Sequence, residues 1–141
     1  MRSVTILLLV VVFLASGALS AATPADRPVA VSFVFPNGVT RSTELTEAEV
    51  RSLLHENFGY MIEWWVRGAL VKLSLPHVIT VVDQQSKAKA VTSINGIANG
   101  SSGRWVLYVD GIRSRYDINT QVRQNEQQIR LVYEQLGRPA G

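Results

Sequence analysis

Val29-Ala30-Val31-Ser32-Phe33-Val34-Phe35-Pro36-Asn37-Gly38-Val39-Thr40-Arg41-Ser42-Thr43-Glu44-Leu45-Thr46-Glu47-Ala48-Glu49 is the stretch on which the fold turns. Val29, Val31, Phe33 and Phe35 fall at every second place, the period of a half-buried strand. Pro36-Asn37-Gly38 is a turn signal, and Asn-Gly suits a tight hairpin because both residues accept positive φ. Val39–Leu45 then alternates as the returning strand. Thr46 can cap a helix, and Glu49 at the third place after it completes a capping box. Val50, Leu53, Leu54, Phe58, Met61, Ile62 and Trp65 follow at helical intervals. Gly59 is placed to interrupt that helix or to end its first part, and Pro76 stops whatever precedes it.

Beyond Pro76 the pattern is strand-rich. Val78–Asp83 has strand content, Gln84–Lys89 is polar, and Ala90–Ile97 reads as one strand. A small polar loop spans 98–103. Arg104–Val109 then places Trp105, Leu107 and Val109 on one face and Val106 and Tyr108 on the other. Asp110-Gly111 is a two-residue hairpin signal leading back into Ile112–Tyr116. Gln127–Glu134 closes the chain, with Ile129, Leu131 and Tyr133 alternating against Arg130 and Val132. A hairpin, a helix and then several strands predict an α+β domain over 29–136. Its expected form is a mixed or antiparallel sheet with one main helix packed on one face. Gly137–Gly141 reads as a flexible tail.

Upstream, Met1-Arg2 is a minimal positive start, Val4–Ala15 is a short apolar run, and small residues follow from Ser16 to Ala22. That order is the pattern of a secretory signal peptide, with small residues suiting cleavage after Ser20 or after Ala22. A spanning helix needs about 20 apolar residues, more than this run supplies. The expected organisation is therefore a signal peptide at 1–22, a linker at 23–28 and a secreted or periplasmic domain without a membrane span. Cysteine is absent, so no disulfide holds the domain. Small exported eukaryotic domains lean on disulfides, and their absence points to a bacterial source. The formal charge of +3 comes from eleven arginines and three lysines against eleven carboxylates, with no basic run. Nucleic-acid binders concentrate such charge in a stripe, so no nucleic-acid partner is expected.

Three stretches carry a resemblance. They are Val91-Thr92-Ser93-Ile94-Asn95-Gly96-Ile97, then Gly103-Arg104-Trp105-Val106-Leu107-Tyr108-Val109-Asp110-Gly111, then Ile129-Arg130-Leu131-Val132-Tyr133. Together they resemble the transcobalamin-like C-terminal domain family, a β-grasp module of exported bacterial proteins, with Asp110 where the family usually has asparagine. The resemblance covers about residues 90–134 and is weaker upstream. Either the helix after Thr46 is the family helix and 59–84 is an insertion, or Ile79–Asp83 begins the family helix. The resemblance implies a β-grasp-like fold and a binding role. A corrinoid is the implied ligand, and the Trp105 region is implied to lie near it. From the residues themselves the candidate contacts are Ser93, Ile94, Asn95 and Gly96 with the small polar loop 98–103, whose glycines let a backbone come close to a ligand, and whichever of Trp105 and Tyr108 is not in the core. In the cobalamin carriers the similar domain is one half of a clamp, and a lone half buries little of a large ligand.

No cysteine nucleophile and no Gly-x-Ser-x-Gly elbow occurs, and His55 and His77 stand alone in the sequence. Clustered metal ligands are missing from the sequence too, so neither catalysis nor a tightly bound metal is expected. Trp64-Trp65 is a candidate partner contact, because adjacent helical residues point about 100° apart and both rarely enter one core. Arg113 and Arg115, on one face of the strand after Asp110-Gly111, and Arg123 are candidates for an anionic group. The expected role is an exported non-catalytic binding module for a small molecule. The alternatives are a module that binds another exported protein or the cell envelope, and a small hydrolase-like enzyme.

Overall fold

The computed structural model describes residues 27–55, 61–115, 117–119 and 128–136. The expected signal peptide, most of the linker and the tail lie outside these, as do Phe58, Gly59, Tyr116 and Arg123. The described elements are β1 (Val29–Val34), β2 (Thr40–Leu45), α1 (Glu47–Leu54), α2 (Ile62–Lys72), β3 (His77–Asp83), β4 (Ala88–Ile94), β5 (Ile97–Ala98), β6 (Gly103–Val109), β7 (Ile112–Arg113) and β8 (Gln128–Gln135). The α+β class is as the sequence predicts, but among the described residues two sheets and two helices replace the expected single sheet and single main helix. One sheet has the order β2-β1-β8-β6-β7 and the other β3-β4-β5. The large sheet is mixed: β1 runs parallel to β8, and its other pairings are antiparallel.

The first hairpin forms, but not as a two-residue turn. Phe35 N–H donates to Val39 O at 2.9 Å, Gly38 N–H donates to Phe35 O at 2.9 Å, and Gly38 sits at φ 85°. Pro36 has no N–H, so it cannot make the bond that would close a tight turn around Asn37-Gly38. Phe35 makes it instead, and the connection lengthens to the three-residue kind ending in a left-handed glycine.

α1 begins as its capping box dictates. Glu49 N–H donates to Thr46 Oγ1 at 3.2 Å, and Thr46 N–H donates to Glu49 Oε1 at 3.3 Å. The helix ends at His55, which takes the left-handed conformation at φ 52°. The apolar periodicity that reads as one helix is therefore divided, and α2 starts afresh at Ile62. Its Glu63 N–H donates to Ile118 O at 2.8 Å. The helices meet closely: a Cβ on Gly68 would lie 3.3 Å from Val50 Cγ2.

The core is the inner face of the large sheet against α2. Val31, Phe33, Ile129, Leu131, Trp105 and Leu107 from the sheet pack in one cluster with Ile62, Trp65, Val66 and Leu70. The alternation that marked Val29, Val31 and Phe33 as inward-facing is observed, because all three are fully buried.

Two more expectations change. Ala90–Ile97 is broken by a two-residue turn, Asn95 at φ 52° and Gly96 at φ 80°, which pairs Ile94 with Ile97 and folds β5 onto β4. The strand expected over Ile112–Tyr116 ends at Arg113, so Arg115 is not on a strand and the two arginines do not share a strand face. Asp110-Gly111 does form the expected tight turn, at φ 49° and 80°, with Val109 opposite Ile112.

Candidate functional site

The short β7 shapes the site. It pairs only with Tyr108 and Val109 of β6, while β8 pairs with β6 along its whole length. The Gly103 half of β6 therefore has a strand on one side only. The loop after β5 folds over part of that edge. Asn99 Oδ1 accepts from Trp105 N–H at 2.8 Å, Asn99 Nδ2 donates to Val91 O at 3.4 Å, and Asn99 N–H donates to Thr92 O at 2.8 Å. One side chain thus ties β4 of the small sheet to β6 of the large one. A cavity of about 290 Å³ opens beside this tie, walled by Asn99, Trp105 and Asp117 and bordered by Arg104, Arg113 and Arg115.

All three arginines are exposed, and the lining holds one carboxylate beside them, Asp117. Arg113 Nη1 lies 3.6 Å from Glu134 Oε1, which also accepts the Tyr108 hydroxyl proton at 2.9 Å. That hydrogen bond, helped by burial, holds the Tyr108 phenol above its ordinary pKa. Arg104 and Arg115 enter no ion pair among the described residues. The lining is cationic on balance and suited to a carboxylate or phosphate group, which guanidinium groups grip with paired N–H donors.

Trp105 belongs to this wall, but as a brace. It is 6% exposed, its ring meets Phe35 and Tyr133 edge-on at 5.3 and 5.4 Å, and its Nε1–H donates to Ile97 O at 2.8 Å. Its polar edge is thus spent on the β5 backbone. Tyr133 reinforces the same loop, its hydroxyl lying 3.2 Å from Ala98 O and 3.0 Å from Ser102 Oγ.

Of the residues singled out in the sequence, Trp105, Arg113 and Arg115 meet at this cavity, Arg123 lies outside the described residues, and the other described ones, the loop 98–103 aside, do not line it. Ile94 is fully buried in the core, Ser93 is half-buried opposite Ala98, and Asn95 and Gly96 form an exposed turn anchored by Asn95 N–H to Pro76 O at 2.7 Å. Tyr108 lies on the outer face of the sheet, opposite Arg113. Trp65 is 2% exposed and in the core, whereas Trp64 is half-buried with the Arg67 guanidinium 5.2 Å above its ring. Arg104 was not among the sequence candidates, and Asn99 was there only as part of the 98–103 loop. Arg104 had a usable signal, since it shares a strand face with Tyr108 and flanks the exposed loop. Asn99 had none beyond its place in that polar loop, because nothing in the sequence says that its side chain reaches both Val91 and Trp105.

The molecule is a small α+β domain of two sheets with a cationic cavity at the bare edge of a strand. No family model matches the sequence. No curated protein matches it either. Among solved structures it is similar to a protein from Ruminococcus gnavus described as a candidate metal-binding protein. The TM-score is 0.52 at 5% identity, and the match covers 77% of this chain and 97% of that one. That likeness concerns the fold alone. Among the described residues no helix is long and apolar enough to cross a membrane.

Proposed function

We propose that this protein is an exported, non-catalytic binding module that captures a small anionic ligand at the cavity beside β6. The observation that carries the reading is the convergence of Arg104, Arg113 and Arg115 on one cavity, two of them without an ion-pair partner among the described residues. The ligand is recognised through a carboxylate or phosphate, and the Asn99 and Trp105 hydrogen bonds keep the wall rigid. Export rests on the order of charge, apolar run and small residues from Met1 to Ala22. The strand order β2-β1-β8-β6-β7 with β1 parallel to β8 supports a β-grasp-like reading of the large sheet, in line with the transcobalamin-like resemblance.

Size bears on the corrinoid. At about 290 Å³ the cavity is at the bottom of the roughly 300–1,000 Å³ range of small-molecule sites. A corrinoid would rest on its mouth through a side group, and a smaller anion would enter it. The neighbour's described metal binding is not carried over, because no three potential ligands among His, Cys, Asp and Glu gather among the described residues. Neither histidine is paired with a carboxylate there: His77 Nδ1 lies 2.9 Å from Leu75 O, and His55 caps α1.

The test is a thermal-shift titration of the purified protein against carboxylates, phosphate esters and a corrinoid. A ligand at a hundred times its dissociation constant stabilises the fold by about 2.7 kcal/mol. That is a shift of several degrees in Tm. The shift should vanish in Arg104→Ala and in Arg115→Ala. A shift that survives both substitutions removes the cavity as the site, and no shift with any compound defeats small-ligand capture.

A further inference from the structure

β3 is an edge strand: β4 pairs with it on one side, and no strand of the described residues pairs with it on the other. It carries no charge from Val78 to Val82. Val78 and Val82 are 53% and 54% exposed, and Thr80 between them is exposed too. Natural edge strands are usually short, charged or interrupted by proline, because an open row of backbone donors and acceptors invites pairing. β3 is seven residues long, and proline occurs only before it, at Pro76. Its pairing with β4 is irregular between Val78 and Ile79 and between Val81 and Asp83, which leaves Ile79–Val81 as the regular centre, with Thr80 in the middle.

The strand is also matched to itself. Turned antiparallel against a second β3 about Thr80, it places Val78 opposite Val82, Ile79 opposite Val81 and Thr80 opposite Thr80. His77 of each copy then falls beside Asp83 of the other, an imidazole beside a carboxylate. A two-fold interface requires this kind of self-complementarity, in which each residue meets the position that meets it in return. We propose that the open edge of β3 pairs with β3 of a second copy of this chain. The two three-stranded sheets then become one continuous six-stranded sheet centred on Thr80. This does not depend on the ligand proposal above, because no β3 residue lines the cavity.

The two-fold axis through Thr80 supplies the test. Thr80→Lys sets two ammonium groups against each other, and Thr80→Glu sets two carboxylates. Each should weaken the dimer by about a hundredfold. Both changes fall on an exposed side chain, and circular dichroism checks that the fold is kept. Mass is measured by light scattering, for the parent at up to about 100 μM protein and for the comparison with the variants at about 10 μM, where a micromolar dimer is mostly formed and one weakened a hundredfold is mostly monomer. The expected result is a dimeric parent, two monomeric variants, and a dimer again when the variants are mixed. A monomeric parent, a dimer that persists in Thr80→Lys, or an equimolar mixture that stays monomeric would each overturn the proposal.

Discussion

Asn99→Ala should loosen the joint between the two sheets, and its cost can be built from the contacts it removes. The side chain accepts from Trp105 N–H at 2.8 Å and donates to Val91 O at 3.4 Å. The second bond is long and contributes little. The first matters more, because Trp105 is buried and its N–H has no other partner among the described contacts. A net hydrogen bond is worth about 1 kcal/mol, and a buried donor left unsatisfied costs about 1–3 kcal/mol. We expect a loss of about 2 kcal/mol. With a urea m-value of about 2 kcal/mol/M, the midpoint should fall by about 1 M with m unchanged. Asn99→Asp keeps the acceptor for Trp105 and loses only the long bond to Val91, so it should cost much less than Asn99→Ala. Equilibrium unfolding followed by tryptophan fluorescence reads both. Equal midpoints for the parent and Asn99→Ala would refute the claim that this side chain holds β4 to β6.

Two other perturbations follow from the same geometry. A Cβ on Gly103 would meet Glu134 O at 2.5 Å and the Tyr133 ring at 2.6 and 2.8 Å, with backbone on one side and a hydrogen-bonded ring on the other. Gly103→Ala should therefore destabilise by about 1–3 kcal/mol despite the smaller gain from stiffening the unfolded chain, and a raised Tm would contradict the packing around β6. At the start of α1, Thr46→Ala should cost about 1 kcal/mol in the same unfolding experiment. Glu49 of that capping box is held below its ordinary value of 4.5, first by the hydrogen bond from Lys72 and then by Thr46 N–H. A carboxylate depressed in the folded state stabilises above its unfolded pKa and loses that contribution as pH falls through the folded one. Acid should therefore erode stability below about pH 4.5 less steeply in Glu49→Gln than in the parent, and identical acid limbs would count against this.

Most of the local structure could be read from residues close together in the chain. Thr46 and Glu49 place the start of α1, and Asp110-Gly111 places the turn between β6 and β7. The limit of such reading is visible in the two Asn-Gly pairs. Asn95-Gly96 follows Ile94, which keeps its N–H and can close a two-residue turn; Asn37-Gly38 follows Pro36, which cannot. The dipeptide is the same, and the residue before it decides the outcome. The division into two sheets was not legible, because β4 pairs with its chain neighbours β3 and β5, and nothing in its sequence excludes pairing with β6 instead. The gathering of Arg104 with Arg113 and Arg115 was hidden for a related reason. Reading Ile112–Tyr116 as one strand put Arg113 and Arg115 on a single solvated face. The end of β7 at Arg113 instead turns the chain around the edge of β6.

Two bare strand edges of this domain, at β6 and at β3, carry opposite chemistry, and that contrast argues for different occupants. At β6 the missing pairing is met by a side chain, Asn99, and the mouth of the resulting cavity is bordered by guanidinium groups. Clustered like charges repel a second copy of the same surface and attract a small anion. At β3 no charge stands between Val78 and Val82, and the exposed valines fall symmetrically about Thr80. An uncharged, self-matched edge offers nothing specific to an anion, but it offers a second β3 both a backbone ladder and matching apolar neighbours. If the sites were exchanged, with arginines on β3 and valines around Asn99, neither reading would survive. The placement of charge on the two edges, more than the presence of edges, is what separates the proposed ligand capture from the proposed self-association.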